Sequence, residues 1–190
     1  LTAIALSVKV ALVAALGSLP FGVACGWLLA RRRFPGKSLL DALLHLPLVM
    51  PPIVTGYALL IVFGTQGPVG AWLLEHLGVQ FAFRWTGAAL ASAVMGFPLM
   101  VRAIRLALES TDRRLEAAAA TLGAGPWRGF FSITLPLAWP GLVAGTALAF
   151  AKALGEFGAT ITFVSNIPGE TQTLSSAIYG LLQVPGGEAG

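Results

Sequence analysis

One cysteine, two histidines and eight carboxylates are the whole of what this 190-residue chain offers to side-chain chemistry, apart from its basic residues and hydroxyls. The lone Cys25 lies in an apolar run, which excludes a disulfide framework and a cysteine metal cage. With only His45 and His76, a nucleophile-and-base site is poorly supplied. No HExxH or GxSxG occurs, and no Cys/His metal spacing. Gly36-Lys37-Ser38 matches only the tail of a phosphate-binding loop: Arg31 stands where its first glycine belongs, and no strand precedes it. Gly123-x-Gly125 is followed by Gly129 instead of a glycine at 128, so the dinucleotide fingerprint fails as well. Charge is equally scarce. Charged residues make up 11% of the chain, against roughly 25% in a typical soluble domain.

What fills the chain is apolar surface. The hydrophobic fraction is 56% and mean hydropathy is +0.82, values that define an integral membrane protein. The apolar runs are long enough for an all-α, multi-span helical bundle in one domain, 1–190. Its spans are expected at about 5–30, 39–64, 85–107 and 133–164, with a loop at 108–132. Net charge is +4, yet the basic residues sit beside apolar runs, which suits orientation in a membrane rather than nucleic-acid binding. The turn Arg31–Lys37 holds four of them and Arg102–Arg128 five, while the connections on the other side contribute only Arg84. The 108–132 loop is therefore expected in the cytoplasm and both chain ends outside. The first run ends in basic residues, so no cleavable leader is expected. The chain opens on Leu1 rather than on a methionine, and its true start is expected upstream.

Val10 to Ala30 carries no charge and, at about 31 Å as a helix, can cross a bilayer. Pro20 is expected to kink it. Gly22 and Gly26 are spaced either as a helix-packing seam or by chance in a glycine-rich chain. Pro47, Pro51 and Pro52 cannot all lie within one regular helix, and irregular backbone at membrane depth must be covered by protein or line a cavity. Pro51 and Pro52 are thus candidates for a pore or hinge. Asp41 and His45, at i and i+4, are expected to form an interfacial pair rather than a metal site. Trp85 suits an interface, and Pro98 is expected to bend the third span. Gly141, Gly145 and Ala149 make a small-residue ridge on the fourth. Lys152 and Glu156, again i and i+4, lie within the membrane or near its outer face. Such charges mark either a pathway or a mutually satisfied ion pair. The hydroxyls of Thr160 and Thr162 either line a path or bond back to their own helix. Leu174 to Leu182 is too short to span and is expected to lie at the outer surface or to re-enter.

The longest interruption runs from Leu108 to Pro136. Thr111 or Asp112 can cap a first helix over Arg113 to Leu122, Gly123 suits its left-handed end, and Pro126 can open a second. Leu115, Ala118, Ala119 and Leu122 fall at i, i+3, i+4 and i+7, a flat apolar face that another protein can approach closely.

Within that interruption, Ala118-Ala119, Gly123 and Ile133-x-Leu135-Pro136 resemble the EAA loop of permease subunits in ATP-binding-cassette importers. The register departs in one place: the family's Glu falls on Ala117, and Glu116 stands one residue early. Ala153-Leu154-Gly155-Glu156-Phe157-Gly158-Ala159-Thr160 resembles the LGE[FY]G segment of sulfate and molybdate permeases. Phe163 to Thr171, Pro185-Gly186-Gly187-Glu188, Phe34-Pro35-Gly36-Lys37, His45 to Pro52 and Gly96 to Arg105 resemble the molybdate, ModB-type branch. The resemblance implies the type I importer permease fold, a molybdate pathway and no cofactor. Its implied partners are a second permease, cytoplasmic ATPase subunits, an external binding protein and the lipids of a bacterial or archaeal inner membrane. Hydrolysis would be borrowed from the ATPase. It implies coupling to that ATPase through Arg113, Leu115, Glu116, Ala118, Ala119, Leu122, Gly123 and Ala124. It implies a gate or pathway at Glu156, Phe157 and Thr160, with Pro51 and Pro52 beside them. One more C-terminal span is also implied. Sulfate, thiosulfate or tungstate is the alternative cargo.

Overall fold

The computed structural model describes residues 2–183, and the Pro185–Glu188 resemblance lies outside them. Among the described residues the secondary structure is entirely helical: α1 Thr2–Arg31, α2 Lys37–Val49, α3 Pro52–Phe63, α4 Pro68–Leu77, α5 Trp85–Ser110, α6 Arg113–Thr121, α7 Pro126–Gly129, α8 Leu135–Leu137, α9 Trp139–Leu154, α10 Gly158–Val164 and α11 Leu174–Leu182. A wide π-turn, Phe130–Thr134, joins α7 to α8.

α1 and α5 are each long and apolar enough to cross a membrane alone. The expected second and fourth spans are bent. α2 and α3 meet at 115°, and the rod Pro126–Leu137 meets α9 at 66°. α2 and α3 hold 13 and 12 residues, about 20 and 18 Å, each shorter than a hydrocarbon core of ~30 Å. The prolines explain both bends. Pro51 is extended and Pro52 opens α3 at its first turn, where the missing N–H is harmless, so α2 must stop before them. Pro47, in contrast, is accommodated inside α2. On the other pair, Pro140 lies at the start of α9, past the bend at Ala138, where its ring and missing N–H interrupt the helix arriving from Leu137. Pro136 and the π-turn before it stay within the rod. The expected boundary at 132/133 therefore falls inside a continuous rod. The fourth segment breaks once more at Gly155–Phe157, before α10.

α5 is the centre of the packing, with α1 and α9 both packed against it and against each other. Both glycine seams face it. A Cβ on Gly22 would lie 2.7 Å from Met100 Sδ, and one on Gly26 2.9 Å from Ile104 Cγ2. On α9, Gly141 abuts Ala107, and a Cβ on Gly145 would lie 3.0 Å from the Met100 carbonyl oxygen. Gly96 of α5 returns the contact against Ala149. Met100, Ile104 and Leu108 are consequently fully buried between the three helices. Without apolar collapse to drive association in lipid, such close backbone approach supplies the dispersion energy that holds helices together. α1 stays helical through Pro20, and α5 through Pro98.

Two ends follow from the contacts. At one, Lys9 Nζ lies 3.6 Å over the Trp85 ring, and the Leu174 N–H donates to Ser7 Oγ at 2.7 Å. At the other, Arg31 reaches Glu116 and Arg105 reaches Asp41, which brings the two basic segments together.

Overpacking a glycine seam should cost about 1–3 kcal/mol. Gly26→Leu is expected to lower the thermal midpoint in detergent, whereas Gly17→Leu, whose Cβ would meet nothing within 4 Å, should leave it unchanged.

Candidate coupling helix and gate junction

α6 is built as its residues dictate. Asp112 Oδ1 accepts the Arg114 N–H at 2.9 Å and caps the first turn. Gly123 takes a left-handed φ of 83°, and the Ala124 N–H turns back to the Ala119 carbonyl at 3.0 Å. Pro126 then opens α7. The nine-residue helix has two distinct faces. Leu115, Ala118 and Leu122 are exposed, Leu122 at 88%. Nearby, exposed Trp127 and Phe131 stack with their centroids 6.4 Å apart. The other face looks inward. Glu116 Oε1 accepts from Arg31 Nη2 and from Thr134 Oγ1, both at 2.8 Å. Arg113 Nη2 approaches the Ala30 carbonyl at 3.4 Å. Ala119, expected on the docking face, is half-buried: it lies three residues from both Glu116 and Leu122, at the border of the two faces, and packing of the inner side covers it.

The gate candidates named separately from the sequence come together at the opposite end. The α2–α3 break packs on the α9–α10 break: a Cβ on Gly158 would lie 2.7 Å from Pro52 Cβ, and one on Gly56 2.9 Å from Ala159 Cα. Glu156 is 2% exposed and fully engaged. Its Oε2 accepts from Lys152 Nζ at 2.6 Å, and its Oε1 accepts the Ala159 N–H at 3.0 Å. The carboxylate thus caps the first turn of α10 while Lys152 neutralises it, the mutually satisfied alternative. Thr160 donates to Phe157 O at 2.8 Å and Thr162 to Gly158 O at 2.9 Å, so both hydroxyls bond back to their own segment. Phe157 packs against Tyr179 of α11, centroids 4.7 Å apart. α11 is latched in turn by the bond from Ser175 Oγ to Leu154 O. Pro51 and Pro52 themselves are exposed.

A third cluster was only half visible in sequence. His45 Nδ1 lies 2.8 Å from the Asp41 carbonyl and 3.2 Å from its Oδ1, as the i, i+4 spacing implied. The stronger partner is Arg105, whose Nη1 reaches Asp41 Oδ2 at 2.9 Å and whose Nε reaches Glu109 at 2.8 Å. The Arg105/Glu109 i, i+4 pair was a readable signal, but its link to Asp41 was not. These residues, with Arg102 and Ser38, line a polar cleft of about 600 Å³ between α2 and α5.

Comparison with known proteins gives a consistent picture. The model of the family described as binding-protein-dependent transport system inner membrane component matches residues 18–182. The chain is 64% identical over 188 residues to the molybdenum transport system permease protein ModB of Escherichia coli, covering 99% of this chain and 82% of that one. It is 57% identical to ModB of Haemophilus influenzae with the same coverage. To the sulfate transport system permease protein CysT of E. coli it is 41% identical, over 91% of this chain and 62% of that one.

Lys152→Met would strand Glu156 as an uncompensated buried charge and is expected to cost about 3 kcal/mol. The double change Lys152→Met with Glu156→Gln should recover much of that loss, measured by thermal or denaturant unfolding in detergent.

Proposed function

Because the chain belongs to the family of binding-protein-dependent transport system inner membrane components, we propose that it is the membrane-spanning permease subunit of an ATP-binding-cassette importer and forms the translocation pathway for molybdate. Its architecture is the all-helical, type I importer permease fold. Similarity running through coupling helix, bent spans and gate junction alike, 64% over nearly the whole chain, carries the reading. Sulfate permeases are similar at a lower level, 41%, which favours molybdate over sulfate, thiosulfate or tungstate.

In this reading the permease performs no hydrolysis. A second copy completes the pore in the inner membrane, with four spans per chain among the described residues and α6 at the cytoplasmic side. Cytoplasmic ATPase subunits grip the exposed Leu115–Ala118–Leu122 face, with Gly123 and Ala124 ending the helix cleanly. When the ATPases close, they pull on α6, and rigid packing around α5 carries the motion outward. The junction of Pro51 and Pro52 with Glu156, Phe157 and Thr160 supplies the outer gate. Glu156 braces this gate and does not line it, since both its carboxylate oxygens are engaged. Molybdate is a tetrahedral dianion, and the spans offer it few cations. Weak binding along the path suits conduction, so selectivity rests mainly with the external binding protein.

Leu115→Asp and Leu122→Asp are expected to prevent co-purification with the ATPase while the permease itself stays folded. In vesicles carrying the complete importer, uptake of labelled molybdate should require ATP and should resist excess sulfate. Competition by sulfate at similar concentration would favour the alternative cargo, and uptake without nucleotide would refute the scheme.

A further inference from the structure

The inner face of α6 points to a role for Glu116 that the docking reading does not contain. One carboxylate oxygen joins three separate segments: α6 itself, the last residue of α1 through Arg31, and the π-turn before α9 through Thr134. Thr134 is 2% exposed and the Arg31 side chain 8%, while the Glu116 side chain is 32% exposed, so two buried partners hold a carboxylate that lies at the edge of solvent. Arg113 adds a second contact to the end of α1. α6 also rests on α7 and on the π-turn, and it joins the chain through Thr111–Asp112 on one side and the glycine-containing Leu122–Gly125 turn on the other. Without the node, those two connections would leave the helix freer to swivel under load. α1 and α9 are the helices packed most extensively against α5, so a node fixed to α1 and to the rod that leads into α9 joins α6 to the centre of the bundle.

We infer that Glu116 is a positioning residue that ties the docking helix to the end of α1 and to the rod that leads into α9, making α6, the end of α1 and that rod move as one body. The inference rests on the reading of the chain as an ATPase-driven permease, and it assigns Glu116 a task distinct from contact with the ATPase.

The test uses the reconstituted importer carrying Glu116→Gln, Arg31→Met, both together, or Thr134→Val, which removes one bond alone. Each single variant at 31 or 116 is expected to keep its ATPase and to hydrolyse ATP, but to move about tenfold less molybdate per ATP; the double should be no worse than the poorer single. Thr134→Val should show a smaller loss in the same ratio. Unchanged uptake per ATP, losses that multiply in the double, or loss of the ATPase during purification would each overturn the inference. The last would place Glu116 in the docking contact.

A second measurement does not depend on transport. Spin labels at Arg33→Cys and Leu122→Cys, in a Cys25→Ala background, should give a narrow distance distribution that Glu116→Gln broadens, with or without ATPase. An equally narrow distribution in the variant would overturn the tie. A wild-type complex that hydrolyses ATP without uptake would refute the functional reading instead, and the spin-label result would still decide the tie.

Discussion

Hydrocarbon gives a polypeptide no hydrogen-bond partner, so every interruption of a membrane helix must be covered by other parts of the protein. That constraint accounts for the layout around the two helix breaks. The proline break at 50–52 and the break at 155–157 are each unsuited to lipid, and they are stacked on one another. Glu156 caps the first turn of α10 where its N–H groups would lack partners, and Lys152 makes that carboxylate tolerable at low dielectric. Thr160 and Thr162 satisfy carbonyls within their own turn. Polar groups that a sequence reader would assign to a substrate path are thus largely occupied in making irregular backbone affordable.

A second consequence concerns rigidity. Small residues let α1 and α9 approach α5 closely, and close-packed helices deform in discrete steps rather than continuously. Bundles of this kind pass on displacement applied at one end. The bent segments, in contrast, change direction at Pro51–Pro52, Ala138 and Gly155–Phe157. The result is a close-packed centre flanked by three localised bends.

Much of this was legible in the residues alone. Composition identified the membrane class. Asp112, Gly123 and Pro126 marked the bounds of α6 because caps and left-handed ends depend on single residues and their immediate neighbours. Pro51 and Pro52 marked a break for the same local reason. Gly141 and Gly145 announced close packing, though not which helix they would meet, while Gly22 and Gly26 were equally readable as chance spacing until the fold set them against α5. The distribution of arginines separated the two ends of the molecule.

Tertiary packing decided the rest. The bends of 115° and 66°, the π-turn before Pro136 and the partial burial of Ala119 depend on which surfaces are available to cover each segment. Arg31 and Glu116 lie 85 positions apart, and Asp41 and Arg105 lie 64 apart. No local preference links residues at such distances, because a charged side chain takes the partner that folding brings within about 3 Å. Sequence by itself determined where the chain could be helical, where it had to stop, and which class of machine it serves. Only the folded bundle decided that its two proline- and glycine-marked breaks would face each other, and that one glutamate would join three helical segments.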